Sequence, residues 1–93
     1  MEIQKMLVLS TSHLRAVTEK AMRFGDAPFL YDKKNGGYII PFIDQAQIDT
    51  LRGDGYYDVA DVLAYADKRG CTWVMFDCDA NLIDDGSLNI FDW

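Results

Sequence analysis

Histidine is nearly absent from this sequence: His13 is the one copy in 93 residues. A metal site built from clustered histidines is thereby excluded, and a catalytic dyad would have to pair that ring with Cys71, Cys78 or a serine. Cysteine is almost as scarce, with two residues standing seven apart in a segment that reads as extended. Strand rise separates them by about 23 Å, beyond disulfide reach, which predicts buried reduced thiols and a reducing compartment. No apolar run approaches the roughly 20 residues of a membrane helix, and the stretch near residue 6 is too short for a secretory signal. The expectation is a cytoplasmic protein without membrane contact, and one domain spanning residues 1–93.

A glycine-rich phosphate loop is also lacking. Gly36-Gly37 falls inside a hairpin signal, and Gly53-Asp54-Gly55 adds an acid where a phosphate would be repelled. Basic residues are few, nine against fifteen acids, for a net charge of −6. The imbalance is uneven: residues 1–35 hold six bases and four acids, residues 36–93 three bases and eleven acids. A phosphate backbone demands clustered Lys and Arg, so direct nucleic-acid binding is disfavoured. Thirteen of the fifteen acids are Asp, a residue that suits turns and helix caps through bonds to the local backbone.

What is present reads as alternating strands and helices. Residues 5–10 form a short apolar strand closed by Ser10-Thr11-Ser12, a helix-capping cluster. Over residues 13–25, Leu14, Val17, Ala21 and Phe24 recur at spacings of three and four, predicting an amphipathic helix ended by Gly25. Residues 28–32 and 38–42 read as hairpin arms around Asn35-Gly36. Residues 44–52 suit a short helix with Ile48 and Leu51 inward. Residues 58–69 predict a second amphipathic helix, with Asp58 as N-cap and Val59, Val62, Leu63 and Ala66 on its inner face. Residues 71–78 are apolar on both faces, as in a central strand covered on one side by helices and on the other by partner elements. A turn and tail follow, in which Ile90, Phe91 and Trp93 are expected to pack back. The main order is β-α-β-β-α-β, that of a ferredoxin-like α+β domain: an antiparallel sheet with two helices on one face.

The strand ending Asp77-Cys78-Asp79 resembles the first motif of haloacid-dehalogenase-like phosphatases, where two such acids hold magnesium and one is the nucleophile. Here only fourteen residues follow Asp79, and Ala80-Asn81 stands where that family has Gly-Thr. The same stretch imitates the opening of a calcium loop, but its sixth position is Leu82 and its twelfth Leu88. A strand-end Asp turn is the simpler reading, and no catalytic residue, metal or cofactor is expected.

The acids carry the functional expectation. Carboxylates three and four apart on a helix lie about 5–6 Å from one another, close to the spacing of DNA phosphates along a strand. Asp54, Asp58 and Asp61 have that spacing, and with Asp44, Asp49, Asp84, Asp85 and Asp92 they suggest a phosphate-like array. Tyr56 and Tyr57 stand among them as candidate anchors.

Several segments together resemble a family of small bacterial proteins, often carried on plasmids, prophages and other mobile elements and known as a domain of unknown function. They are the strand entering Ser10-Thr11-Ser12-His13-Leu14, Gly37-Tyr38, Arg69-Gly70-Cys71, Thr72-Trp73-Val74-Met75-Phe76-Asp77, Asp79, Ile83-Asp84 and Trp93. In size, acidity and want of a catalytic motif the chain is also similar to anti-CRISPR and anti-restriction proteins. The expected function is a non-enzymatic inhibitor from a mobile element. Its acids would occupy a basic DNA-binding groove on a host defence complex, such as a CRISPR surveillance complex. The alternative is an accessory interaction domain of a toxin-antitoxin or plasmid-maintenance system, binding through an apolar patch of Phe91, Trp93 and the hairpin.

Overall fold

The computed structural model describes residues 4–91. Strand β1 (Met6–Ser10) runs into a 3-10 turn at Thr11–His13, helix α1 (Ala16–Arg23), a hairpin of β2 (Asp32–Lys34) and β3 (Gly37–Ile40), helices α2 (Gln45–Gly53) and α3 (Tyr57–Lys68), and strand β4 (Trp73–Asp77). None of the described helices is long and apolar enough to cross a membrane.

Local chemistry explains most of these boundaries. The Ser10 hydroxyl accepts the Ser12 N–H at 3.1 Å, so the serine cluster caps the 3-10 turn. Leu14 and Arg15 are then extended, and α1 starts afresh at Ala16, not at residue 13. This restart changes the phase of the wheel. Thr18 and Met22 form the buried face, while Val17 and Phe24, expected inward, are 64% and 63% exposed. Helix α2 appears as expected, with the Asp44 carboxylate accepting the Gln47 N–H at 2.8 Å and Ile48 and Leu51 buried. Helix α3 buries Val59, Val62, Leu63 and Ala66 as expected, but its N-cap is Tyr56, and Asp58 lies inside its first turn.

The hairpin turns at Asn35-Gly36, where Gly36 takes a left-handed φ of 79°. So tight a turn pairs Lys34 with Gly37, and β2 therefore consists of Asp32-Lys33-Lys34 in place of residues 28–32. Phe29 and Tyr31 lie outside the sheet and pack against the core, where the Tyr31 hydroxyl donates to the Met22 carbonyl at 2.8 Å.

The fold is α+β with three helices and a four-stranded mixed sheet in the order β1-β4-β3-β2. It departs from the expected antiparallel, two-helix, ferredoxin-like arrangement because β1 pairs parallel to β4 on the sheet's outer edge. Strand β4 is central, as its apolar sequence predicts. The register places Leu7, Leu9, Val74, Phe76, Tyr38 and Ile40 on one face. Those side chains join Met22, Ile48, Leu51, Val59 and Leu63 in one core. Of the two thiols, both free, Cys71 is buried and Cys78 is exposed, which corrects the expectation that both are buried.

Two positions in this framework are demanding. A Cβ on Gly37 would lie 1.8 Å from the Phe76 carbonyl oxygen, so the β3–β4 approach requires glycine. Gly37→Ala is expected to lower unfolding free energy by about 2–3 kcal/mol or more in urea titrations. Gly53→Ala, whose Cβ meets nothing within 4 Å, should be neutral or stabilising by up to about 1 kcal/mol. Burial, and then the neighbouring Glu19 carboxylate, push the Tyr38 phenol from 10.0 up to about 12. The unfolded chain loses this proton near its ordinary pKa of 10.0 while the folded chain keeps it until about 12. Stability should therefore fall as pH rises through that window, and Tyr38→Phe should flatten the fall in urea midpoints measured from about pH 9 to about pH 12.

Candidate functional site

The predicted acidic array is taken apart by the fold. Asp58 is 2% exposed, and its carboxylate accepts the Arg15 backbone N–H at 2.8 Å and faces the Arg15 guanidinium at 3.5 Å. That guanidinium also donates to the Gly55 carbonyl at 2.8 Å and stacks 4.4 Å from the Tyr57 ring centre. Asp58, expected on the partner surface, thus ties the start of α1 to the α2–α3 turn. Tyr56 is half-buried, edge-on to Phe29 at 5.4 Å, and Tyr57, though 43% exposed, lies under Arg15. Asp61 is ion-paired with Arg52 at 2.6 Å.

Other acids are also engaged locally. Asp44 caps α2, and Asp49 accepts from the Gln45 amide at 3.0 Å. Asp85 accepts the Ser87 N–H at 2.9 Å, a bond that holds its carboxyl below the ordinary range. Asp54, Asp84 and Asp85 remain exposed. Asp92 and Trp93 lie outside the described residues; Phe91 is half-buried, its N–H bonded to the Ser12 carbonyl at 2.8 Å.

The Asp77-Cys78-Asp79 segment brings its three candidate ligand atoms within 4.8 Å of one another. Its geometry is a turn: Asp77 Oδ1 accepts the Asp79 N–H at 2.9 Å, and the Asp77 carbonyl accepts the Ala80 N–H at 3.1 Å. His13 is buried, with Nδ1 2.8 Å from the Asn89 carbonyl and Nε2 accepting the Ile83 N–H at 2.9 Å. Both ring nitrogens are therefore occupied by backbone groups, and neither is turned to a cysteine.

A different surface emerges on the sheet. Strand residues alternate between faces, so the side chains opposite the core are Met6 and Val8 of β1, Trp73 and Met75 of β4, and Ile39 of β3. None belongs to the core cluster. Val8, Met75 and Ile39 stand in one cross-strand row that continues to Asp32, and Asp77 shares the face at the far end of β4. Val8 is 48% exposed and Met6 42%. Beside them Phe42, 66% exposed, holds a left-handed φ of 52° and packs against Trp73 with ring centres 5.0 Å apart. An aromatic residue at positive φ is an outlier. The helices lie against one side of β4, as expected, and on the other side, where partner elements were expected, Trp73, Met75 and Asp77 are half-buried. The available sequence signal was the unbroken apolar run of β4.

Asp58→Asn is expected to cost about 2–4 kcal/mol, since it weakens a buried, hydrogen-bonded charge pair. Asp54→Asn should change stability by less than about 0.5 kcal/mol. Thermal or urea unfolding of the two variants compares the buried acid with the exposed one directly.

No curated protein and no solved structure matches this chain. One family model does, over residues 6–93, from the first residue of β1 through every described helix and strand. The chain belongs to the family of unknown function DUF5983, matching its C-terminal domain.

Proposed function

We propose that this domain acts without catalysis, by docking a basic protein surface against the open face of its sheet. The observation that carries the reading is the apolar row of Val8, Met75 and Ile39, flanked by Met6 and the projecting Phe42–Trp73 pair, on a face without helices. Contiguous exposed apolar surface of this kind is the usual mark of an interaction site. Charge selects the class of partner. With a net charge of −6, and with Asp32 and Asp77 set against Lys34 on the same face, the domain favours basic surfaces over acidic ones.

A narrower form of the reading is the anti-defence inhibitor, in which carboxylates stand in for phosphates in a DNA-binding groove such as that of a CRISPR surveillance complex. The exposed Asp54, Asp84 and Asp85 support it, and Asp58 does not contribute.

The test is a pull-down of the tagged domain from a bacterial lysate, followed by affinity measurements on the partner recovered. Phe42→Gly removes the ring and relieves the left-handed backbone, so stability should stay within about 1 kcal/mol while affinity falls about tenfold or more. Affinity should also weaken as salt rises from about 0.05 to about 0.5 M. A partner indifferent to both sinks the proposal. One that ignores Phe42→Gly but follows salt, and is displaced by DNA, moves the contact to the acids and favours the inhibitor.

A further inference from the structure

The segment after β4 has no regular secondary structure, yet it is fastened to the 3-10 turn at four points. The Ser10 N–H donates to the Asn81 carbonyl at 3.1 Å, and the Phe91 N–H donates to the Ser12 carbonyl at 2.8 Å. Between these two bonds the His13 ring is held from both sides. The Ile83 N–H donates to Nε2 at 2.9 Å, and Nδ1 lies 2.8 Å from the Asn89 carbonyl. A ring nitrogen facing an amide N–H accepts, so the single proton of the neutral ring sits on Nδ1 and is donated to Asn89.

This arrangement accommodates one protonation state. The imidazolium carries an N–H at both positions, and its Nε2–H would point at the Ile83 N–H. His13 is 1% exposed, and the cleft it shares with Val62, Leu88 and Phe91 is too small to hold a water molecule that might accept the new proton. We infer that residues 80–91 form a latch over the 3-10 turn and α3, closed by neutral His13 and released when that ring is protonated. Release uncovers His13 and Val62 and frees Ile83 and Leu88, which pack on the core in the closed state.

The charged groups around the ring are accounted for. Asp58 and Asp61 of α3 line the same cleft, the first neutralised by Arg15 and the second by Arg52. On the latch itself Asp84 and Asp85 are exposed, and Asp85 is turned to the Ser87 N–H. Replacing the ring while leaving these carboxylates in place separates its protonation from theirs.

The latch is independent of the open sheet face, and its test needs no partner. Ring nitrogen shifts of His13 in the intact domain should show a proton on Nδ1 and a bare Nε2 near neutral pH, the less common tautomer. Amide exchange, corrected for the intrinsic pH dependence, should show protection at Ile83 and Phe91 falling about tenfold or more between about pH 7.5 and about pH 5. The midpoint should coincide with ring titration, while Val74 and Phe76 stay protected. His13→Gln, whose side-chain oxygen accepts the Ile83 N–H but does not titrate, should remove the pH dependence. Unchanged Ile83 protection through ring titration, the same fall in His13→Gln, or simultaneous loss at Val74 and Phe76 each overturns the latch. If His13→Gln fails to fold, the coincidence of the two midpoints in the unsubstituted domain still decides.

Discussion

A four-stranded sheet presents two faces, and the helices of this chain lie against one. They are 8, 9 and 12 residues long, about 12 to 18 Å each at helical rise, and all three contribute buried side chains to the same core. Covering the second face would take another layer of helix. Much of the rest follows from that constraint. Strand β4 must be apolar on its inner side to fill the core at Val74 and Phe76, and its outer side is apolar too, at Trp73 and Met75, which stay half-buried with Phe42 against Trp73. The short tail has one remaining task in packing, to close the edge of the core beside the 3-10 turn, and its Ile83 and Leu88 do so.

Elements whose signals are local were legible in the sequence, and those set by distant partners were not. Helix α2 is announced by Asp44 as cap and by Ile48 and Leu51 three apart. The hairpin turn is announced by Asn35-Gly36, and the central position of β4 by its hydrophobicity. The phase of α1 is not legible because Leu14 looks like part of the helical stripe, whereas the chain is extended at Leu14 and Arg15 before the helix begins. The parallel β1–β4 pairing leaves no local mark, since it joins residues 67 apart, as Met6 with Trp73. Asp58 is the sharpest case. In sequence it is an acid in the first turn of a helix, indistinguishable from an exposed cap, and its burial depends on Arg15, 43 residues away. His13 likewise meets partners 70 and 76 residues off.

Those two residues illustrate how an acidic domain of this size spends its few polar side chains. Carboxylates serve turns and caps at Asp44, Asp77 and Asp85, where a backbone N–H is close at hand. The buried polar groups make connections that apolar contact cannot specify. Asp58 accepts a backbone N–H from across the fold, and His13 offers one donor and one acceptor to Asn89 and Ile83 of the tail. Removing either leaves a buried backbone amide without a partner, which costs more than the bond itself contributes. Such groups fix which segments meet, while the apolar cluster supplies most of the burial.

Phe42 stands outside this economy. Its left-handed backbone costs about 1–3 kcal/mol relative to an ordinary conformation, and most of the ring remains in water. A glycine at the same position would remove the strain, and a polar residue would remove the exposed surface. The ring gains its one aromatic contact from Trp73, itself on the uncovered face. Stability alone therefore does not account for a strained, exposed aromatic at the end of β3. It lies beside the row of Val8, Met75 and Ile39, packed against Trp73 and 66% exposed. A partner that buried this ring would gain the surface that folding leaves in water, and the backbone strain would then be offset in the complex instead of in the free domain.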